Sequence, residues 1–569
     1  MNTVQPNQEM RDVVVIGSGA GGGTVAHVLT GLGVRVTLLE AGPMLDPFRD
    51  FKEHQWPYDV EHRGAEDGGR RYFGRGKPFG YFSTTSGGWQ LDGEPYTVAE
   101  GSEFQWFRSR IVGGRTNHYG RLSFRFSDYD FKPYDRDGLG VNWPVSYEDI
   151  APYYDKAEAF IGVTGSHEGI RSAPDGVFLE PPPPKAHELL IKAASERLGI
   201  PCIPNRRAVL TRPLNGRPAC HYCGQCGRGC RSASNYSSSQ VQIFPALETG
   251  RLQVIDRAMA REIVTDGSGK VTEVVYVDTR TGEERRLRCR LLVLAASACE
   301  SARLLLNSKT SEFPNGVANS SGVVGKFLMD TVGYGVSAQV PAFEGMPRYN
   351  SDGAGGAHLY MPWWGWENQE GLGFPRGYHI EIGGGYNMPG IGSFGRLARE
   401  SGYGIGLKSR ARREFGTTVT FEGRGEMIPN ESCYCEIDPD TVDRWGIPVL
   451  RFHFKWSDYE LDQARHMTDT FGDLVDVMGG VVQQTSARDA SGISVGGSII
   501  HEVGTARMGE DPNSSVLNGF CQSHDIENLF VCDGASFVGN PDKNPTLTIN
   551  ALAWRASEYM VEEMRRGNL

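Results

Sequence analysis

The chain has 569 residues, which exceeds the usual size of one domain and predicts two packed units, one for a cofactor and one for a substrate. Its 58 basic and 69 acidic side chains give a formal charge of −11, so binding to the polyanionic backbone of a nucleic acid is not expected. The longest apolar run, at residues 291–299, is about half of the roughly 20 residues that a bilayer-spanning helix needs, so no membrane span is expected.

The first predicted unit, residues 12–40, has the pattern of a strand, a helix and a second strand. A short apolar run is followed by glycines, then by apolar residues at helical spacing, then by another apolar run. This alternation predicts a doubly wound, Rossmann-like parallel sheet of the α/β class, with its ligand at the carboxyl ends of the strands. Further strands of this sheet are predicted at 291–295, before a helix through 302–306, and at 529–532.

A glycine motif joins the first strand to the first helix. Gly17, Gly19 and Gly22 form G-x-G-x-x-G, which lets backbone amides and a helix N-terminus meet a pyrophosphate. Glu40 ends the next strand, where its carboxylate can accept hydrogen bonds from ribose hydroxyls. The alternative is a glycine-rich turn beside an ordinary surface glutamate, and the motif alone does not separate FAD from NAD.

The second predicted unit has a different pattern. Residues 325–498 are rich in aromatic residues and glycine and alternate in polarity at 378–382, which predicts a mostly antiparallel sheet. The prolines at 181–184 lead into a helix predicted over 186–198. These patterns assign residues 1–45, 100–130, 220–325 and 499–569 to a discontinuous cofactor domain, and residues 46–99, 131–219 and 326–498 to the substrate domain and connecting segments.

Several separated stretches carry a resemblance to a known family. They are the start of the chain, RIVGGRTNHYG at 110–120, WPVSYEDIAPYYDKAE at 143–158, LAASACESARLLLN at 294–307, HEVGTARMG at 501–509 and LFVCDGASFVGNPDKNPTLTINA at 529–551. In order and spacing they resemble the glucose–methanol–choline family of flavin oxidoreductases. The stretch at 298–308 lacks the proline often found in that family's signature. The resemblance implies an FAD-dependent enzyme that oxidises a carbinol carbon.

The resemblance also implies a set of flavin contacts. It places the loop with Gly113, Gly114 and Asn117 against the flavin ring, and Asp533 and Gly534 near the ribityl and phosphate groups; turns with no role in binding are the alternative. Some relatives hold their flavin covalently through a histidine, and His118 is a predicted neighbour. With the glycine motif, the predicted cofactor contacts are Gly17, Gly19, Gly22, Glu40, Arg110, Gly113, Gly114, Asn117, His118, Ala260, Asp533, Gly534, Asn544, Pro545 and Thr546.

Alcohol oxidation needs a base for the hydroxyl proton while the carbon-bound hydrogen leaves as hydride to flavin N5. The resemblance assigns this base to His501 and makes Asn544 the second member of the catalytic pair. Asn544 precedes Pro545, an order typical of a helix N-cap, so helix capping is its alternative or additional role. That helix N-terminus would also stabilise negative charge on a reduced flavin.

Four of the eleven cysteines are concentrated in one short segment. Cys220, Cys223, Cys226 and Cys230 form C-x2-C-x2-C-x3-C, which resembles iron–sulfur proteins and leaves a 3Fe-4S or a 4Fe-4S cluster open; tetrahedral zinc is the alternative. A cluster beside a flavin would pass single electrons to an acceptor, which favours a dehydrogenase. With structural zinc, the chain would instead be an oxidase that uses dioxygen, and a non-redox lyase is a third reading.

The sequence pattern most resembles flavoprotein subunits of the glucoside 3-dehydrogenase and gluconate 2-dehydrogenase type. The first is favoured because no cluster of basic residues marks a carboxylate site. Trp363, Trp364 and Trp366, near Tyr360 and Tyr378, are a predicted stacking platform for a sugar, with core packing as the alternative. The N-terminus shows no signal peptide, so a small subunit with an export signal, a cytochrome c acceptor and a periplasmic location are expected, with a cytoplasmic location as the alternative.

Overall fold

A computed structural model describes residues 7–51, 53, 87–88, 91–266, 268–347, 355–386, 394–485 and 492–569. In chain order, its strands are β1 (Asn7–Ile16), β2 (Val36–Leu39), β3 (Gly87–Gly88), β4 (Thr97–Val98), β5 (Arg108–Ser109), β6 (Val163–Thr164), β7 (Phe178–Leu179), β8 (Ile203–Pro204), β9 (Leu252–Ile255), β10 (Ala258–Thr265), β11 (Val271–Asp278), β12 (Glu284–Leu294), β13 (Val332–Gln339), β14 (Leu359–Met361), β15 (Tyr378–Gly384), β16 (Thr418–Gly425), β17 (Tyr434–Val442), β18 (Pro448–His453), β19 (Val481–Thr485) and β20 (Leu529–Val531). Its α-helices are α1 (Ala20–Gly31), α2 (Pro47–Asp50), α3 (Asp128–Phe131), α4 (Pro133–Asp137), α5 (Tyr147–Ile161), α6 (Ala186–Arg197), α7 (Phe244–Glu248), α8 (Ala298–Asn307), α9 (Gly395–Ser401), α10 (Ile405–Glu414), α11 (Asp458–Val477) and α12 (Thr546–Arg566). None of the helices in these ranges is long and apolar enough to cross a bilayer.

The first sheet is parallel where the sequence predicts it. Strands β20, β12, β1, β2 and β9 lie side by side in parallel, and β11 and β10 extend the sheet as an antiparallel pair. Val13, Val14 and Val15 of β1 are completely buried, because layers cover both faces of the sheet and every side chain of a central strand needs an apolar partner. The predicted Rossmann-like arrangement is confirmed, and the carboxyl ends of its parallel strands meet at one edge.

The second sheet is antiparallel, as the alternating pattern predicts. Its order is β19, β13, β16, β15, β14 and β8, and α11 packs against β13 and β16. Side chains of β15 alternate between two faces: Tyr378 and Ile380 enter the core beside α11, so His379 and Glu381 lie on the opposite face. This alternation brings polar residues of the second unit to the first.

The aromatic residues predicted to stack on a sugar belong to the core instead. Trp363 and Tyr378 lie in the hydrophobic cluster beneath α11, and Trp364 and Trp366 pack against that cluster. Tyr360 is buried and stacks on a phenylalanine ring. The described residues that line the large cavity include none of these five side chains. Aromatic residues therefore serve as core here, because the one-sided sheet needs large apolar side chains under its helix.

The predicted division into domains stays a prediction, and two segments assigned to the substrate side contribute to the first core. Helix α5 packs on α12, where the Tyr154 hydroxyl lies 2.7 Å from that of Thr548. Strands β17 and β18 contact α8, and Leu450 and Phe452 are buried in the same cluster as β1. Both segments are distant in sequence from the strands they cover, so local patterns could not reveal the contact.

Candidate active site

A cavity of about 390 Å³ lies at the carboxyl ends of β1, β2, β12 and β20 and extends to β15 and β16, within the usual size of small-molecule sites. Both sheets therefore contribute to its wall. Most of the residues predicted from sequence line it. They are Gly17, Gly19, Glu40, Arg110, Gly114, His118, Ala260, His501, Asp533, Gly534, Asn544, Pro545 and Thr546. Gly22, Gly113 and Asn117 lie behind the wall, and their contact with a cofactor stays a prediction.

Two glycines of the turn after β1, Gly17 and Gly22, have no room for a larger residue. Gly17 has φ +97°, and an added Cβ would lie 2.3 Å from the Ala295 oxygen. A Cβ on Gly22 would lie 1.9 Å from the Gly17 oxygen, so this glycine brings α1 against the turn. The N-terminus of α1 thereby opens toward the cavity, and its amides fit the diphosphate of a dinucleotide.

Glu40 stands at the carboxyl end of β2, where the sequence predicts a ribose contact. Its carboxylate accepts hydrogen bonds from the Ser18 hydroxyl, the Ser18 amide at 3.2 Å and the Gly42 amide at 2.9 Å. Burial raises the pKa of Glu40, and these hydrogen bonds oppose that shift. The side chain is thus held in place at the cavity wall, in a position that fits hydroxyl groups of a ribose.

The loop at 113–117 is organised around its own asparagine. Asn117 Nδ2 donates to the oxygens of Val112 and Gly114, both at 3.0 Å, and its Oδ1 accepts from the Ser239 hydroxyl at 2.8 Å. Gly113 has φ +94°, and a Cβ there would press on the Asn117 side chain. In the structure, Asn117 therefore holds the loop so that Gly114 faces the cavity.

Asp533 follows β20, and its carboxylate is hydrogen-bonded to other groups of the protein. Its carboxylate accepts from the Ser301 hydroxyl at 2.6 Å and from the amides of Ser297 and Ala535 at 3.0 and 2.8 Å. Burial raises the pKa of Asp533. These hydrogen bonds tie the N-terminus of α8 to the end of β20, and the strained Ser297 (φ +89°) lines the cavity between them.

The predicted catalytic pair is brought together from two distant segments. Asn544 Nδ2 lies 3.2 Å from His501 Nε2, and the Thr331 hydroxyl lies 3.0 Å from His501 Nδ1. Burial, and after it the nearby Arg424, lower the pKa of His501 to about 3, so the imidazole is neutral. With the Asn544 amide donating to Nε2, the ring proton resides on Nδ1 and is donated to Thr331. Nε2 is therefore the atom that can accept a proton.

Asn544 does not cap the helix that follows it. Helix α12 begins at Thr546, Pro545 occupies the preceding cap position, and that terminus has no side-chain cap. The predicted capping role of Asn544 is wrong because its amide is directed away from the helix, toward His501 and Glu381. Pro545 and Thr546 still line the cavity, so the N-terminus of α12 faces it.

Sequence analysis missed a set of charged residues around the pair. Glu381 on β15 accepts a hydrogen bond from Asn544 Nδ2 at 3.3 Å, and its other oxygen lies 3.3 Å from the Arg424 guanidinium on β16. Burial favours the neutral acid, but Arg424 and His379 outweigh it and hold the pKa of Glu381 below its usual range. The sequence signal for Glu381 is the alternation of β15: its polar residues share one face of the strand, and its apolar residues share the other.

A second buried ion pair lies beside His501. Arg115 contacts the Glu502 carboxylate, and its guanidinium also donates to the Ile500 oxygen at 3.3 Å. Behind the histidine, Asp330 accepts from the His501 amide at 3.0 Å. Burial and the neighbouring Glu502 raise the pKa of Asp330 to about 7. The main chain at Ile500 and His501 is therefore held by the Arg115 guanidinium and the Asp330 carboxyl group.

The cysteine segment lies near the cavity wall. One guanidinium, that of Arg121, donates to the Cys226 oxygen at 2.8 Å and to the oxygen of Tyr119, which lines the cavity. Burial, and after it the other three thiols of the motif, raise the pKa of the Cys220 thiol to about 12. Across the part of the chain that the structure describes, no group of three or more cysteine, histidine or acidic side chains is arranged to hold a metal ion.

Comparisons with known proteins show the family of the chain. Family models described as GMC oxidoreductase match residues 12–332 and 429–553. The 2-methyl-1,2-propanediol dehydrogenase of Mycolicibacterium austroafricanum is 31% identical over 97% of this chain and 95% of its own length. The fructose dehydrogenase large subunit of Gluconobacter japonicus is 26% identical over 98% of each chain. The crystal structure of pyridoxine 4-oxidase from Mesorbium loti covers 97% of this chain and 99% of its own, with a TM-score of 0.60 at 16% identity, which supports the fold alone. The chain therefore belongs to the GMC oxidoreductase family, whose enzymes bind FAD and oxidise alcohols and sugars.

Proposed function

We propose that the protein is the flavoprotein subunit of a dehydrogenase that oxidises a secondary hydroxyl of a sugar or glycoside, with a 3-keto product favoured. The observation that carries the proposal is the pairing of His501 Nε2 with Asn544 Nδ2 in the wall of the cavity. When bound, FAD supplies the hydride acceptor. The neutral His501 accepts the hydroxyl proton at Nε2, and the Asn544 amide orients the oxygen from which that proton comes.

The charges of the wall favour a neutral sugar over a sugar acid. Arg424 is paired with Glu381, and Arg115 is paired with Glu502. Each of these cations is therefore compensated by a buried carboxylate and has little attraction left for a substrate carboxylate. The carboxylate of Glu381 can instead accept hydrogen bonds from substrate hydroxyls, which suits a polyol. Gluconate 2-dehydrogenase-type activity remains the second candidate because both arginines line the same cavity.

The proposal also includes a path for electron transfer from the reduced flavin to an external acceptor. The support for an iron–sulfur cluster of the 3Fe-4S or 4Fe-4S type on Cys220, Cys223, Cys226 and Cys230 is the C-x2-C-x2-C-x3-C spacing of these residues. The position of this segment behind Tyr119 supports a path from the cavity to a cytochrome c. A partner subunit is supported by the Gluconobacter japonicus relative, which is a large subunit by name. The proposal adds that this partner is a small subunit with an export signal and that the complex is periplasmic.

Two measurements on the purified protein test this proposal. Anaerobic mixing with methyl glucoside, gluconate, fructose and 2-methyl-1,2-propanediol should bleach the flavin with the glycoside, and the new carbonyl should be found at C3. If gluconate alone bleached the flavin, gluconate 2-dehydrogenase-type activity would replace the proposed activity. If none of these alcohols bleached the flavin, the proposal that the protein oxidises such alcohols would be refuted. Iron with acid-labile sulfide is expected in metal analysis; zinc without iron, together with peroxide formation in air, would identify an oxidase.

A further inference from the structure

Behind Glu381, on the side away from the cavity, lies a buried histidine that the proposed chemistry does not use. His379 and Glu381 are two residues apart on β15 and therefore lie on the same face of the strand. His379 Nε2 is 3.5 Å from Glu381 Oε1, and His379 Nδ1 is 3.7 Å from an oxygen of Asp542. His379 is 2% exposed. An imidazole thus stands between the buried carboxylate of Asp542 and the partly buried carboxylate of Glu381.

The surroundings of His379 favour its charged form. Burial opposes the imidazolium, but Asp542 and Glu381 outweigh burial and raise the pKa of His379. Opposite His379 on β16 stands Arg424, whose guanidinium contacts Glu381 and Glu422. On the side of Asp542, the Lys543 ammonium lies 2.5 Å from Asp542 and 3.0 Å from Asp130.

The remaining neighbours of His379 are aromatic rings and the catalytic histidine. Phe124 and Tyr360 contact the imidazole edge-on, at centroid distances of 5.0 and 6.1 Å. The charge of His379 also lowers the pKa of His501. A charged His379 would complete, with the cations and carboxylates around it, an alternating series of charges that leads from Asp130 to the wall of the active site.

The orientation of Asn544 depends on that series. An amide can turn either its Nδ2 or its Oδ1 toward a neighbour, and here Nδ2 faces two acceptors, Glu381 Oε1 and His501 Nε2. Among the described residues, Asn544 Oδ1 has no hydrogen-bond partner, so only the Nδ2 side is anchored. If Glu381 took up a proton and became a donor, the amide could turn over. Its oxygen would then face His501 and favour a proton on Nε2, which would leave no base for the substrate.

We propose that His379 is a positioning residue: as an imidazolium between Glu381 and Asp542, it keeps Glu381 an acceptor for Asn544 Nδ2 and thereby keeps His501 Nε2 free to accept the substrate proton. The inference rests on the proposed roles of His501 and Asn544. Without the imidazolium, the carboxylates of Glu381 and Asp542 share too little positive charge, and one of them gains a proton. His379 acts through two other side chains and does not itself line the large cavity.

The test uses the FAD-loaded enzyme and anaerobic stopped-flow reduction by saturating glycoside. His379→Gln should lower the limiting rate of flavin reduction by at least about tenfold, with the apparent dissociation constant of the substrate changed less than about threefold. The matched control is His466→Gln, because His466 lies beneath the same sheet, bonded to the Tyr378 hydroxyl at 2.8 Å, and should leave both constants unchanged. Equal losses in the two variants, or no loss in His379→Gln, would overturn the inference.

A second variant separates charge from packing. Adding Asp542→Asn to His379→Gln removes the competing carboxylate, so Glu381 should ionise again and the double variant should reduce faster than His379→Gln alone. Asp542→Asn alone should reduce the flavin at close to the wild-type rate, because Glu381 then has no second carboxylate competing with it for positive charge. If the double variant lost as much of its rate of flavin reduction as the losses of the two single variants combined, the charge argument would be contradicted.

The His501→Ala variant distinguishes a failure of the proposed function from a failure of the positioning role of His379. If His501→Ala reduces normally, the proposed function fails whatever His379 does. If His501→Ala is inactive while His379→Gln matches the wild type in rate and pH profile, only the positioning role fails.

Discussion

Thr331 provides the clearest single perturbation of the catalytic histidine. Its hydroxyl lies 3.0 Å from His501 Nδ1, is completely buried, and in the neutral ring accepts the Nδ1 proton. Thr331→Val keeps the shape of the side chain but leaves a buried N–H without its acceptor, at a cost of about 1–3 kcal/mol. Because the hydrogen bond must strengthen as His501 gains a proton, this cost falls on the transition state. At about 1.4 kcal/mol per tenfold, flavin reduction should slow by about 5- to 150-fold.

The assay is anaerobic flavin reduction under saturating glycoside, with FAD content measured on the same samples. Thr331→Ser is the matched control, because it retains the hydroxyl and should reduce within about threefold of the wild type. Substrate affinity should change little in either variant, since Thr331 lies behind the ring. A Thr331→Val enzyme that is as fast as Thr331→Ser would show that Nδ1 needs no acceptor and would refute the assignment of Nε2 as the proton-accepting atom.

Three further changes give separate tests. Gly22→Ala should abolish FAD retention because its Cβ would lie 1.9 Å from a backbone oxygen of the glycine turn, whereas Gly31→Ala on the same helix meets no atom within 4 Å and should retain FAD; equal FAD content would contradict the packing argument. The raised pKa of Asp330, about 7, means that its folded form holds a proton more tightly than its unfolded form, so stability should fall as pH rises from about 4 to 7, and Asp330→Asn should flatten that part of the Tm profile. Cys226→Ser should lower iron and sulfide per chain while Cys202→Ser, in the second core, should not.

Local sequence signals were sufficient for the first unit. Gly22 is required by a contact with Gly17 in the same turn, Gly17 has the positive φ that favours glycine, and the apolar run of β1 shows its burial on both faces. The resemblance then supplied His501 and Asn544, which lie 3.2 Å apart in the structure although 43 positions separate them. These features could be predicted because each depends on a short motif.

The charged wall could not be predicted in the same way. Glu381 and Arg424 occupy alternate positions on strands, where a polar side chain usually faces solvent. Only the docking of one sheet against the other turns that face inward, and docking is a property of the whole chain. Asn544 shows the same limit: its Asn-Pro order predicts a cap, yet a buried carboxylate and a histidine from elsewhere attract its amide instead.

The central claim is that His501 Nε2 accepts the proton of the substrate hydroxyl. The most direct test is the limiting rate of anaerobic flavin reduction in His501→Ala, measured with saturating glycoside at pH 7 on enzyme with the FAD content of the wild type. General-base catalysis predicts a fall of about 10²- to 10⁴-fold. A rate within about threefold of the wild type would contradict the claim, since a base worth so little would leave the paired side chains without a chemical role.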